Sequence, residues 1–221
     1  MQRHFETELK NLKEQILAMG GHVEEAVEAA TQALIQRKPE DLKKVHDLEE
    51  KINREHIEVD ESCLQLLARQ SPLAADLRLV IAVLKISTDL ERMGDQAVNI
   101  AYNAKDYLKG EPIKDLVDIP KMAAEVRAMV RDALDAFVRQ DGDLARKVLE
   151  KDDAVDALKD QVFQDLIAFI TQNPTKVAQS LDLILIARNM ERLGDHATNI
   201  AEDVIFAATG KDIRHGKSQK S

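Results

Sequence analysis

Apolar residues recur at intervals of three and four along most of this chain, and no useful stretch alternates with the period of a strand. Phe5, Leu9, Leu12, Ile16, Met19, Val23, Val27, Ala30 and Leu34 form one continuous stripe, which predicts a long amphipathic helix turning at Pro39 in RKPEDL. A second stripe, Leu42, Val45, Leu48, Ile52, Val59 and Leu66, ends where Ser71-Pro72 signals a turn and a new start. The third runs from about Leu77 to Leu108 and stops at Lys109-Gly110, a glycine C-cap with Pro112 two residues on.

The plan then repeats. EPIKDLVDIP, residues 111–120, has prolines near both ends and breaks the periodicity. Beyond it, Met122, Val126, Met129, Ala133 and Phe137 make a new stripe, and RQDGDL (139–144) stands where RKPEDL stood. Val148, Val155, Leu158 and Val162 lead to Asn173-Pro174, the counterpart of Ser71-Pro72, and a last helix ends at Thr209-Gly210. The expected fold is all-α: two tandem three-helix bundles related by duplication, 1–110 and 121–210, joined by a linker at 111–120 and followed by a polar tail, 211–221.

Composition supports this reading. Charged residues make up 32% of the chain and aromatics 3%, with 5 Pro and 8 Gly, a balance that favours long helices over sheet. The formal charge of −9 argues against nucleic acid as the main partner. One cysteine, Cys63, precludes an intrachain disulfide and fits a reducing, cytoplasmic setting; it lies on an apolar stripe and reads as a core residue. MQRHFETELK lacks the apolar core of a signal peptide, and LVIAVL at 79–84 is too short to span a bilayer, so no membrane insertion is expected.

The most specific feature is written twice. Residues 91–101 read ERMGDQAVNIA and residues 191–201 read ERLGDHATNIA, with 191 − 91 = 100 positions between their starts. Residues four apart share a helix face, so Glu91, Asp95 and Asn99 form one polar row. Glu191, Asp195 and Asn199 form another, which Glu202 extends; the first copy has Tyr102 there. Like charges at this spacing cost an isolated helix roughly 0.2–0.5 kcal/mol, and Gly94 and Gly194 beside them cost about 1 kcal/mol each against alanine.

The middle helices carry a matching feature. Asp152 and Asp156 stand four apart in EKDDAVDAL, and aligning VHDLEEKINRE with it places Glu49 and Asn53 at the equivalent positions. Two facing helices would then present oxygen ligands suited to Mg²⁺, Mn²⁺, Ca²⁺ or iron, while the neighbouring glycine lets the backbones approach. A solvated surface on which Arg92 and Arg192 neutralise the carboxylates remains equally open. His196 follows Asp195 but falls about 100° round the helix, at the rim of the row. His4, His22, His46, His56 and His215 are scattered, and there is no E-x-x-H motif, phosphate loop or catalytic triad.

SPLAADLRLVIAVLKISTDLERMGDQAVNIA and IARNMERLGDHATNIAED, with MGGHVEEAV near the start and TGKDIRH at the close, resemble the PhoU family over essentially the whole chain. The resemblance implies two up-down-up, spectrin-like bundles with pseudo-twofold symmetry. It implies bound divalent or trivalent metal ions (iron, manganese, magnesium or zinc), held by Glu91 and Asp95 with Glu49 in one site and by Asp152, Asp156, Glu191 and Asp195 in the other. Asn53 departs from the family's acidic pair and marks the first site as the weaker. Asp76 and Arg78, in DLRLV, also match, as structural or partner-contacting residues. The implied role is non-catalytic: a homodimeric negative regulator of phosphate uptake and of the phosphate-starvation response. It would stand between the phosphate ABC transporter, at its ATPase subunit, and a sensor histidine kinase. The alternatives are a metal-dependent phosphoester hydrolase and a metal-free helical adaptor.

Overall fold

The six stripes become six helices. The computed structural model describes residues 2–69 and 72–213, with side chains from residue 6 onward. Its long helices are α1 (Gln2–Gln36), α2 (Lys43–Arg69), α3 (Ala74–Tyr107), α4 (Asp118–Arg139), α5 (Gly142–Gln172) and α6 (Val177–Thr209), with short 3₁₀ turns at Pro39–Leu42 and Pro174–Lys176. No strand occurs among the described residues, and none of the described helices is long and apolar enough to cross a membrane. Residues 70–71, the predicted turn at Ser71 included, and the tail from 214 lie outside the described residues.

Two helix starts fall earlier than periodicity predicts. α3 begins at Ala74 rather than Leu77, and α4 begins at Asp118, inside the predicted linker. Pro120 read as a breaker, but it occupies the first turn of α4, where its missing N–H leaves no helical bond unmade. The first two turns of the repeats also match. Arg37 and Gln140, the residues that end α1 and α4, both take left-handed φ angles, 55° and 53°. Past Gln140 the chain restarts at once, because the Asp141 carboxylate accepts from the N–H groups of Asp143 and Leu144, both at 3.0 Å.

Each bundle closes on itself: α1, α2 and α3 pack pairwise, as do α4, α5 and α6. The bundles then meet along two further contacts, α3 against α6 and α1 against α4, and α3–α6 is the most extensive in the molecule. Among the described residues, α2 and α5 touch only helices of their own bundle and form the two outer sides. One apolar core runs through both bundles, including Met19, Val23, Ala30 and Leu34 of α1 and their repeat counterparts Met122, Val126, Ala133 and Phe137 of α4.

Both inter-bundle contacts are antiparallel. Along α1–α4, Lys13 Nζ donates to the Val138 carbonyl at 3.1 Å, Arg131 pairs with Glu24 at 2.6 Å, and Arg127 pairs with Glu28. Gly20 brings α1 close to α4: a Cβ there would lie 2.1 Å from Leu134 Cδ1, whereas one on Gly21 would meet nothing within 4 Å. Along α3–α6, the C-terminus of one helix lies by the N-terminal part of the other, twice. Arg78 of α3 lies against Gly210, the left-handed cap of α6 (φ 72°), where its charge complements the helix dipole. Gln179 of α6 lies against Gly110 beyond α3 and donates to the Glu111 carbonyl at 2.8 Å. These matched ends express the pseudo-twofold axis, and Arg78 makes its contact there within the chain.

The paired glycines separate packing from propensity. Gly21→Ala is expected to stabilise the chain by about 1 kcal/mol through helix propensity. Gly20→Val, which forces bulk into the α1–α4 contact, is expected to cost about 1–3 kcal/mol despite that gain. Urea denaturation followed by circular dichroism reads both.

Candidate metal centre

Each acidic row lies where an outward edge of the signature helix meets the middle helix of its own bundle. Met93, Ala97 and Ile100 of α3 are fully buried, so the rigid core fixes the helix rotation, and Glu91 sits half-buried with Asp95 more exposed. α6 repeats this with Leu193, Ala197 and Ile200 buried, Glu191 half-buried and Asp195 exposed. Glu49 and Asn53 of α2, and Asp152 and Asp156 of α5, are half-buried on the facing helices. The glycines do permit the close approach. A Cβ on Gly94 would lie 3.2 Å from Ile52 Cδ1, and one on Gly194 would lie 3.6 Å from Asp152 Oδ1 and Val155 Cγ1.

The electrostatics of the rows are unfavourable as they stand. Partial burial, and then Asp95, push the Glu91 carboxyl above its ordinary range, with Glu49 adding to the repulsion. Burial, and then Asp195, raise Glu191; burial, and then Asp156, raise Asp195. Arg92 and Arg192 offset these shifts only in part: both guanidinium-bearing residues are exposed and neither closes an ion pair with its row among the described residues.

Other groups act beside them. In the second bundle Lys159 Nζ lies 4.0 Å from Glu191 Oε1, although its nearer partner is Asp160 at 3.0 Å. In the first, Asn53 donates from Nδ2 to Glu49, and His56, which by the α2/α5 alignment occupies the place of Lys159, helps to hold Glu91 down. Two buried polar atoms there, Asn53 Oδ1 and His56 Nδ1, have no hydrogen-bond partner. Sequence reading passed over both Lys159 and His56. The signal was available, since each follows the second ligand position of its middle helix by three residues.

The donors suit a hard cation in kind. In the arrangement present, however, no group of three or more His, Cys, Asp or Glu among the described residues is gathered closely enough to hold an ion. Holding one would require the carboxylates of each row and its facing helix to draw closer together than they stand. Cys63 takes no part: it is fully buried, and burial pushes its thiol up to about 12.

One predicted row member, Asn199, makes its contact elsewhere, as does the rim residue His196. Asn199 turns across the inter-bundle contact and donates to Asp89 Oδ1 at 3.2 Å, and His196 Nδ1 is 2.8 Å from the same oxygen. Lys85 pairs with the buried Asp203 at 2.9 Å. Lys85, Asp89, Asn199 and Asp203 border a cavity of about 440 Å³ between α3 and α6, with Leu84, Thr88 and Arg92. Asn99 is exposed and its carbonyl accepts from Asn103 Nδ2 at 2.7 Å. Glu202 and Asp76 are half-buried. Asp89, Lys85 and Asp203 were missed because each carries no repeat signature: the matching positions one hundred residues away are Asn189, Leu185 and Asn103.

An all-α chain of two antiparallel, pseudo-twofold three-helix bundles with acidic rows on matching helices defines a narrow class. The PhoU domain model matches residues 16–104 and again 119–204. A phosphate-specific transport system accessory protein PhoU homolog from Pseudomonas putida is 40% identical over 214 residues, 96% of this chain and 84% of that protein. A second, from Aquifex aeolicus, is 37% identical over 94% of each. The crystal structure of PhoU from Pseudomonas aeruginosa superposes with a TM-score of 0.89 at 38% identity, covering 94% of this chain and 100% of that one. The phosphate transport system regulatory protein PhoU from Streptococcus pneumoniae gives 0.86 at 26% identity, over 94% and 98%. The chain belongs to the PhoU family.

Carboxyls raised in the folded state bind protons more tightly there than in the unfolded chain, so stability falls as pH rises above the ordinary values of 4.5 and 3.8 and the loss persists at neutrality. Glu191→Gln with Asp195→Asn is therefore expected to raise Tm at pH 7 in chelator, with the gain vanishing as pH is lowered through that range. Lys85→Met, which strips an ammonium from the buried Asp203, is expected to cost about 1–3 kcal/mol. Lys85→Leu with Asp203→Asn, the pairing found at Leu185 and Asn103, is expected to recover most of that loss in the same urea titration.

Proposed function

We propose that this chain is a cytoplasmic, non-catalytic negative regulator of phosphate uptake and of the phosphate-starvation response. It acts by contact, as a homodimer, between the ATPase subunit of a phosphate ABC transporter and a sensor histidine kinase. Membership of the PhoU family supports the phosphate role, since the relatives are named as accessory or regulatory proteins of phosphate transport. The observation that carries the mechanism is the duplicated carboxylate row, in which burial, and then a neighbouring carboxylate, favours the protonated forms of Glu91, Glu191 and Asp195.

Such rows gain from a cation. Glu49, Glu91 and Asp95 would hold one in the first bundle, and Asp152, Asp156, Glu191 and Asp195 in the second. A bound cation supplies positive charge where the protein has packed negative charge, and so changes the surface offered to partners without chemistry on a substrate. The metal is iron, manganese, magnesium or zinc; oxygen donors accept several, and His56 adds a nitrogen only to the first bundle.

A second reading has its own support. Lys159 near Glu191, and the Asn53–Glu49 hydrogen bond, are neutralising contacts made by the protein itself. They favour a metal-free adaptor, whose thermal melts would respond to neither chelator nor added Mn²⁺.

Glu191→Ala with Asp195→Ala is expected to lower the metal content measured by elemental analysis while helicity stays at the parental level. In a host whose own PhoU-type gene is deleted, the parent chain is expected to repress a phosphate-starvation reporter in phosphate-rich medium, and the double variant to repress it less. Equal metal content in parent and variant would remove the ligand assignment. Absence of repression by the parent chain would remove the regulatory role.

A further inference from the structure

The outward faces of both α2–α3 and α5–α6 continue past the acidic rows into exposed apolar side chains that neither the metal reading nor the core requires. On α5, Phe163 and Ile167 follow Asp156 by seven and eleven residues, and on α6, Val177 and Leu181 precede Glu191 and Asp195 by fourteen. Those intervals are about two, three and four helical turns, so the apolar side chains continue the faces that carry the acids. All four are solvent-exposed, Phe163 by 49% and Leu181 by 48%. They lie toward the Asn173–Lys176 end of the α5–α6 hairpin, with the carboxylates farther along and two cations, Arg188 and Lys159, between them, leaving the far half net acidic.

The first bundle repeats the gradient. Leu64 follows Asn53 by eleven residues and Leu77 precedes Glu91 by fourteen, exposed by 63% and 39%. Asp60 stands where the second bundle has Phe163.

We propose that each bundle offers this groove, α2–α3 or α5–α6, to a short amphipathic helix of a partner protein that is cationic at one end and apolar at the other, with the α5–α6 groove the tighter. The inference rests on reading the chain as a regulator that works by contact. Fourteen residues of helix span about 21 Å, which sets an occupant of roughly four turns. Two adjacent helices leave a groove that a third helix fills with spaced apolar anchors. The acidic half specifies lysine or arginine opposite it, and the apolar half specifies the direction in which the partner lies.

The same gradient disfavours other occupants. An anionic membrane surface would be repelled by the acidic half. A second copy docked by a twofold axis would set carboxylates against carboxylates, or bury them against the apolar half of its mate. Because the pseudo-twofold places two such grooves on one chain, a partner that is itself a homodimer could engage both.

The test uses the full chain in chelator and two fluorescein-labelled peptides of about fifteen residues with one leucine–alanine–lysine composition. One has its lysines gathered at one end of the helix, and the other has them spread evenly. Fluorescence anisotropy is expected to show the gathered peptide binding about tenfold tighter, two per chain. Phe163→Ser with Ile167→Ser is expected to remove the tighter site, and Leu64→Ser the weaker. Equal affinity for the two peptides, or binding unchanged in these variants, would overturn the proposal. So would sedimentation in which the Phe163 and Ile167 changes abolish self-association, or anionic phosphatidylglycerol vesicles that the parent binds and the variant does not. The outcome is separable from the regulatory reading: loss of peptide discrimination with the reporter still repressed sinks the groove alone, and intact discrimination without repression sinks the regulatory role alone.

Discussion

Everything in this molecule is referred to the antiparallel packing of α3 against α6. These are the two copies of one signature helix, and each must meet three surroundings at once. One side enters the common core through residues such as Ile86, Leu90 and Met93 in α3 and Ile186, Met190 and Leu193 in α6. A second side faces the sister helix, and a third carries the acidic row toward the middle helix. The core fixes the rotation of both helices, so the carboxylates cannot move apart by turning the backbone. Side-chain rotation and neutralisation are the responses left to them. That is why a half-buried glutamate with a raised pKa persists in both copies.

Duplication would by itself give an interface between like surfaces, and the two repeats have diverged so that it is not. On α1–α4 the acids Glu24 and Glu28 of the first repeat occupy the positions held by Arg127 and Arg131 in the second, and the pseudo-twofold axis brings each acid to an arginine. Identical repeats would have set acid beside acid. On α3–α6 the divergence runs the other way. One edge of the contact bears Asp89, His196, Asn199, Lys85 and Asp203, and the equivalent edge bears Asn189, Gln96, Asn99, Leu185 and Asn103. The equivalent edge carries no counterpart of these five groups' charges. Their placement on one edge gives the two sides of a nearly symmetric molecule different chemistry.

The acidic rows follow the same logic of partial compensation. Lys159, His56 and Asn53 each relieve some of the crowding, and Arg92 and Arg192 contribute at longer range. None relieves all of it. On the proposed reading, a metal ion or a basic side chain brought to this surface would remove repulsion already present in the fold. Asn53, where the second bundle has Asp156, reads differently in this light: the amide binds Glu49 directly, and the neighbouring His56 brings a nitrogen that the second bundle lacks.

Helix number, helix order, the duplicated bundles and the faces bearing the acids were all legible in the sequence. They depend on local periodicity, and a period of three to four apolar residues leaves one rotation that buries the stripe. Boundaries were less legible: Pro120 reads as a stop until α4 places it in a first turn, where it is tolerated. The contacts made by Asn199, His196, Lys85 and Asp203 were not legible at all. They join residues more than one hundred positions apart across an interface whose geometry no single helix encodes. The sequence by itself determined which side chains share a helix face, because backbone geometry alone sets that. Only the tertiary structure decided which of those faces meet, since the rotation and crossing of packed helices are settled by the side chains of both partners together.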